Sequence, residues 1–189
     1  MRWERLFTDL EAEAAELAEQ DRAAEIADRT RSELARTVWI DRLRAVTGAE
    51  VRVRLLGADL VDGTVVQVGT DWLLIRAGAN DVLVPAHAVV GVEGLGATAA
   101  VVSAPQSGEV SGMTWTAAWR VLARDRASVR VVRAGGSTVH GVPVRVGADF
   151  VELDPALDAE HPSSSGSRRV LVPYAAITAA YARRDDAPR

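Results

Sequence analysis

The chain has 189 residues, with 22 basic side chains, 26 acidic ones, a formal net charge of −4 and no cysteine. This length suits one or two compact domains. The absence of cysteine excludes a disulfide framework, a cysteine-ligated zinc ion and a thiol nucleophile. The negative charge argues against a protein devoted to coating nucleic acid.

The N-terminal residues 1–11 carry three acidic side chains and no uninterrupted apolar run. A secretory signal needs a basic start followed by an apolar stretch. The weakly polar residues 95–104 are far too few to span a bilayer. We therefore expect a cytoplasmic protein without a membrane partner.

Residues 2–47 contain neither Gly nor Pro and are rich in helix-forming residues. Apolar side chains recur there at steps of four and three residues, which predicts a helical arm over residues 1–30 with a coiled-coil seam for self-association. The seam consists of Trp3, Phe7, Leu10 and Leu17. Residues 30–33 fit a capping box, so we expect a break near Thr30 and a second helix to about Val46. The arm could fold back on the body, pair with a second copy or receive a partner, and the first two uses are the simplest.

An internal repeat is the most informative feature. Residues 51–75 and 129–153 are related by an offset of 78, and ten of these 25 positions are identical. The repeat resumes at residues 82–85 and 170–173 with an offset of 88. Ten extra residues therefore lie in the second copy, within the polar stretch 154–169, which we expect to be a solvated loop.

Alternating apolar residues predict five short strands in each copy, and Gly63 and Gly69 allow the strong bends of a small barrel. A helix is predicted before each copy. The second helix has Thr114 as a candidate N-cap and an apolar face of Trp115, Ala118, Trp119 and Leu122, and the first has the face Ala35, Trp39, Leu43 and Val46. The predicted fold is α+β, with the N-terminal arm followed by two five-stranded antiparallel small β-barrels, each preceded by a helix.

The corresponding domain boundaries are read from the same pattern. They are an arm at 1–30, a helix and first barrel at 31–95, a linker at 96–113 with an extended segment near 100–103, a helix and second barrel at 114–182, and a tail at 183–189. The tryptophans are expected to close the barrel cores, because each buries a large apolar surface.

A helix followed by five strands resembles the Sm-like (LSm and Hfq-type) small barrels. Residues 136–141, GSTVHG, look like the family's Gly-x-x-apolar-x-Gly hairpin, and residues 84–89, VPAHAV, look like the turn between the fourth and fifth strands of Hfq. His87 matches the histidine of the Lys-His pair in that turn, while Ala86 stands at the lysine position. In the second copy the pair is Tyr174 and Ala175. The arrangement is also similar to actinobacterial proteins with paired Sm-like units.

This resemblance spans about 100 of the 189 residues. It implies units that join through their fourth and fifth strands, within one chain or between chains. In Hfq the Lys-His turn helps to line an RNA pore, so the resemblance also implies His87 as a possible RNA contact.

The basic side chains of the second copy are the candidate nucleic-acid contacts, because guanidinium groups bind phosphate and aromatic rings stack on bases. The candidates are Arg120, Arg124, Arg126, Arg130, Arg133, Arg145, Tyr174 and His87. The simpler interpretation is a solvated helix face that pairs with the acidic arm. Asp71 and Asp149 each precede an aromatic residue, and a turn-stabilising hydrogen bond is favoured over a paired polar site.

No catalytic motif and no ligand spacing among His87, His140 and His161 is present, so neither a cofactor, a metal nor a small-molecule substrate is expected. The leading hypothesis is a non-enzymatic binding or scaffold protein with a protein partner or a homo-oligomer, acting through sheet edges at residues 82–84 and 170–172. The alternative is an Sm/Hfq-like RNA-binding protein that uses the Arg-rich second repeat.

Overall fold

The computed structural model describes residues 2–57, 59–96, 112–158 and 168–184, with the side chains of residues 2–15, 17 and 33 outside that description. These residues form three α-helices: α1 (Arg2–Leu34), α2 (Trp39–Ala45) and α3 (Trp115–Arg124). The first repeat contributes strands β1 (Glu50–Leu55), β2 (Leu60–Val68), β3 (Trp72–Ala77), β4 (Asn80–Pro85) and β5 (Val89–Glu93). The second repeat contributes β6 (Val129–Arg133), β7 (Thr138–Val146), β8 (Phe150–Asp154), β9 (Val170–Pro173) and β10 (Ile177–Arg183).

All ten strands belong to one open antiparallel sheet in the order β5-β1-β2-β3-β4-β10-β6-β7-β8-β9. The prediction of two separate five-stranded barrels, and with it the separate Sm-like barrel architecture, is therefore wrong. The two repeats merge because β4 pairs with β10, with Leu83 opposite Ala180 and Asn80 opposite Arg183. β10 also pairs with β6, so the last of the ten described strands lies in the middle of the sheet.

The apolar core crosses the joint between the repeats. One cluster combines α3 and the second repeat with Trp72 and Leu83 of the first repeat. The other combines α2 and the first repeat with Ala179 of the second. Because each repeat contributes side chains to the other's core, neither repeat is a closed packing unit of its own.

The strands lie where the alternation of apolar residues predicts them. In β1, Val51, Val53 and Leu55 are buried while Arg52 and Arg54 are exposed. One face of this strand therefore contributes to the core and the other carries charge to solvent.

The break between the first two helices comes later than the capping box predicts. Helix α1 continues to Leu34, and Thr30 Oγ1 donates to the carbonyl of Ile26 at 2.8 Å. A threonine that bonds to the preceding turn lies inside a helix and not at its start. Helix α2 then covers only seven residues, on which Leu43 is buried and Trp39 is largely exposed.

The prediction of a coiled coil also fails within this chain. No other helix of the described residues packs along α1, and its described side chains from Glu16 onward are exposed. Its described ion pairs are local, such as Arg22 with Glu19 at 3.1 Å and Arg31 with Asp28 at 3.5 Å. None of the described pairs joins α1 to the basic residues of α3.

Helix α3 follows its predicted pattern. The Thr114 side chain accepts from the backbone N–H of Ala117 at 3.4 Å, which makes Thr114 the N-cap. Trp115, Ala118 and Trp119 are buried against the second repeat. None of the helices in the described part of the chain is long and apolar enough to cross a membrane.

Several predictions fall outside the described residues. They concern the side chains of the seam residues Trp3, Phe7, Leu10 and Leu17, the extended linker segment at 100–103, His161 and the tail from residue 185. Part of the 154–169 insertion is described: residues Pro155–Leu157 form a 3-10 turn after β8.

Candidate functional site

The sheet has two free ends, formed by β5 and β9. An edge strand presents unpaired backbone N–H and C=O groups, and proteins usually cover or blunt such edges. Neither edge of this sheet has a partner strand within the described residues. Both are therefore candidate binding surfaces.

The β9 edge exposes an apolar side chain whose counterpart in the first repeat is buried. The offset of 88 relates Leu83 of β4 to Leu171 of β9. Leu83 is only 7% exposed because β10 and α3 cover it, whereas Leu171 is 52% exposed. At the first repeat, β10 pairs with β4 and covers it, whereas no described strand pairs with the free side of β9.

The β5 edge carries a matching apolar surface, the edge patch, formed by Trp39 of α2 with Val90, Val92 and Leu95. A shallow cavity of about 290 Å³ opens here between α2 and β5. Val90 is 60% exposed and Trp39 is 42% exposed. At the joint within the chain, where β4 pairs with β10, the corresponding space between α3, β4 and β10 is an apolar cavity of about 270 Å³.

A row of three side chains crosses β5, β1 and β2 on the exposed face of the first repeat. Arg52 lies opposite Glu93 on one side and Asp62 on the other. Its Nε is 2.6 Å from Asp62 and its Nη1 is 3.9 Å from Glu93. The hydrogen bond to Asp62 and the two negative charges raise the pKa of Arg52 above its ordinary value. In this set of three, the first-repeat row, the charge of the arginine is offset by two carboxylates.

The same row in the second repeat crosses β10, β6 and β7 with different chemistry. Arg130 lies opposite Tyr181 and His140 in the same register. Its guanidinium lies over the Tyr181 ring at 4.1 Å from the centroid. Burial raises the pKa of Tyr181, and the positive charge of Arg130 partly opposes that effect. We call this set the second-repeat row.

The second-repeat row lines a cavity of about 200 Å³ at the joint between the repeats. Arg130, His140 and Tyr181 are joined there by Asn80 and Arg183, which face each other across β4 and β10, and by Ser128. Ser128 Oγ donates to the buried carboxylate of Asp158 at 2.6 Å. The cavity is polar and cationic, in contrast to the apolar cavity beneath α3.

The predicted nucleic-acid contacts do not converge on one site. Arg120 and Arg124 are exposed on α3, and Arg124 Nε lies 3.2 Å from Asp125. Arg126 follows the helix with a positive φ of 52°. Arg145 on β7 lies 3.7 Å from Glu152 on β8. Their charges are thus spread over several elements.

The remaining predicted nucleic-acid contacts lie at different places in the fold and differ in burial. Arg130 alone of the predicted set lines the joint cavity, while Arg133 is the partly buried last residue of β6. Tyr174 is buried and its ring stacks on Trp119 at 6.5 Å between centroids, so it is not presented to a base. Burial raises the pKa of Tyr174. His87 is exposed in the short 3-10 turn between β4 and β5.

Asp71 makes a contact between elements and not a local turn bond. Its Oδ1 accepts from the backbone N–H of Trp115, the first residue of α3, at 2.7 Å. Asp149, its equivalent, receives no hydrogen bond on its side chain from the described residues, and its backbone carbonyl accepts from Tyr174 N at 2.7 Å. The two aspartates therefore do not form a paired polar site.

We expect Asp71→Ala to lower the free energy of unfolding by about 1 kcal/mol, because it removes an acceptor from an N–H at the start of a helix. Urea denaturation followed by circular dichroism measures this change. Asp149→Ala is the matched control and should change stability less. An equal loss for both variants would contradict the assigned role of Asp71.

The site residues that sequence reasoning missed are Asn80, Ser128, His140, Tyr181 and Arg183 in the joint cavity, and Val90, Val92 and Leu95 in the edge patch. Among the described residues no group of three or more His, Asp or Glu side chains could hold a metal ion. A comparison of the two repeats at each aligned position would have shown the exchange of acidic residues for Ser128, His140 and Tyr181.

A scan of the sequence against protein-family models gives no match, and a search of curated protein sequences gives none either.

Proposed function

We propose that this chain is a non-enzymatic scaffold that associates with further copies of itself, β9 of one copy pairing with β5 of the next. The single observation that carries this proposal is the contrast between buried Leu83 and exposed Leu171 at equivalent positions. The chain already contains one joint of the proposed kind, in which β4 pairs with β10.

The repeat offsets define the register of the proposed contact. In the joint within the chain, Ala180 lies opposite Leu83 and Tyr181 lies opposite Val82. The equivalent of Ala180 in the first repeat is Val92, and the equivalent of Leu83 in the second repeat is Leu171, each at the offset of 88. The same register therefore places Val92 of one copy opposite Leu171 of the next. The edge patch would then cover the exposed face of Leu171, and burial of these apolar side chains would drive the association.

Charge at the two edges is also complementary. The strand end at β5 carries Glu93, while Arg168 and Arg169 directly precede β9. In the proposed register Arg168 lies opposite Leu95, on the same face of the sheet as Glu93 and two positions from it. Opposite charges at such diagonal cross-strand positions favour this antiparallel pairing.

A contact of this kind is heterologous, because two different surfaces meet. Heterologous contacts generate closed rings when the rotation closes and open filaments when it does not. Either outcome produces species larger than a dimer as concentration rises.

We expect the wild-type chain to show a concentration-dependent mass in light scattering coupled to size-exclusion chromatography. Leu171→Asp and Val92→Asp should each shift it to the mass of one chain, because each places a charge in the proposed contact. Leu157→Asp is the control: Leu157 is 45% exposed but lies outside both edge strands. A wild-type chain that stays monomeric at every concentration would contradict the proposal.

Disulfide trapping tests the register independently, since the natural chain has no cysteine. Chains carrying Leu171→Cys are mixed with chains carrying Val92→Cys, and we expect a covalent dimer after mild oxidation. Pairing of Leu157→Cys with Val92→Cys should give none. Equal trapping in both mixtures would show collision without a defined contact.

A further inference from the structure

The two cross-strand rows occupy the same place in the two repeats but carry different charge. In the first repeat the row reads Glu93, Arg52, Asp62, and in the second it reads Tyr181, Arg130, His140. The arginine is unchanged, whereas each flanking carboxylate has been replaced. Glu50, beside the first-repeat row, is likewise replaced by Ser128.

Removal of the carboxylates leaves the central guanidinium without its counter-ions. Arg52 is held by Asp62 and Glu93, but no described carboxylate lies within ion-pair distance of Arg130 or Arg183. Of the acidic groups near the cavity, Asp158 accepts from Ser128 and Asp59 acts on Tyr181. Neither pairs with the two arginines, so their charge is available to a ligand.

The walls of the cavity supply the other features of an oxyanion site. The Arg130 guanidinium lies over the Tyr181 ring, with its Cζ 4.1 Å from the ring centroid, and this cation–π contact stabilises the side chain beside the cavity. Arg183 comes from the neighbouring strand, and the Asn80 amide lies opposite it. A guanidinium presents a planar fork of N–H donors that matches two oxygens of a phosphate. Two such forks match the charge of a phosphate dianion.

We propose that the cavity lined by Arg130, Arg183 and Asn80 binds a phosphate group. The group could belong to a small phosphorylated molecule or to the backbone of a nucleic acid, since both present the same oxygens. The site lies within one chain, so it does not depend on the association proposed above. A cavity of about 200 Å³ admits the phosphate with little of the remaining ligand, which would extend into solvent.

The test is isothermal titration of the full chain with inorganic phosphate at low chloride concentration. We expect a dissociation constant on the order of 1 mM. Arg130→Gln and Arg183→Gln should each weaken binding by about tenfold, the usual effect of losing a charge-assisted hydrogen bond. Arg52→Gln is the matched control, because it removes the equivalent arginine from the first-repeat row, where two carboxylates offset its charge, and its binding should equal that of the wild type.

A variant that restores the carboxylates of the first-repeat row gives a second test of phosphate binding. The double variant His140→Asp with Tyr181→Glu recreates the first-repeat row around Arg130 and should abolish phosphate binding. Arg183 is exposed, so Arg183→Gln tests the site even if substitutions at Arg130 disturb the sheet.

A short single-stranded RNA distinguishes the two sources of the phosphate. If RNA binds in competition with phosphate and loses affinity in both arginine variants, the source is a nucleic-acid backbone. If phosphate binds and RNA does not, the source is a small phosphorylated ligand. Absence of phosphate binding up to tens of millimolar, or an equal loss in Arg52→Gln, overturns the proposal.

Discussion

Replacement of Trp119 by alanine is expected to lower the free energy of unfolding by about 3–5 kcal/mol. Trp119 is fully buried, meets Trp115 edge-on at 5.7 Å between centroids and stacks on Tyr174. Its indole Nε1 is buried without a hydrogen-bond partner among the described residues, so the loss is one of packing. Removal of the indole would leave a cavity of about the volume of that ring system between α3 and the second half of the sheet.

Equilibrium urea denaturation followed by far-ultraviolet circular dichroism measures this effect without relying on tryptophan emission. Trp39→Ala is the residue-matched control, since Trp39 is 42% exposed. At a concentration at which the chain does not associate, it should cost about 1 kcal/mol or less. Comparable losses at the two positions would mean that α3 does not close the core as described.

Gly63→Ala is expected to cost about 3 kcal/mol, at the upper end of the range for overpacking. A Cβ at Gly63 would lie 2.1 Å from the carbonyl oxygen of Arg76 and 2.8 Å from its carbonyl carbon. Both atoms belong to the backbone of β3, so relief of the clash requires movement of a strand. Val65, Ile75 and the rest of the surrounding core resist such movement.

The repeat offers a graded series for this prediction. At Gly141, the equivalent position, the nearest atom to a Cβ is the carbonyl carbon of Asp154 at 3.0 Å, so Gly141→Ala should cost less. Gly91 on the free edge has nothing within 4 Å and no positive φ, and alanine there should be neutral or slightly stabilising. The same urea titration ranks the three variants. A loss at Gly91 equal to that at Gly63 would show that the effect is not steric.

The local elements could be predicted from the sequence because their signals are local. The alternation in β1 and the spacing of Trp115 and Trp119 on α3 each report which face of an element is buried. The end of α1 could not be placed correctly, because a capping-box pattern competes with residues that favour continuing the helix. Thr30 resolves that competition by bonding to the preceding turn.

The joining of the two repeats through β4 and β10 is expected only from the family resemblance, which leaves open whether fourth and fifth strands meet within one chain or between chains. The apolar pattern of β4 is the same whether it ends a closed unit or meets β10, about a hundred residues later in the chain. The joint cavity could not be predicted for the same reason. Asn80, Arg130 and Arg183 come together only because β10 pairs with β4 on one side and with β6 on the other. Of these three, only Arg130 belonged to a recognisable basic cluster.

The central position of β10 also constrains how the molecule is made. Residues Ile177–Arg183 are synthesised after the other nine described strands, yet they join β4 to β6 in the finished sheet. While the ribosome makes the intervening residues, β4 remains an open edge, and long-range pairing of this kind is slow and exposed to aggregation. The first half of the sheet can therefore form before β10 is made, but the two halves become one sheet only once β10 has emerged.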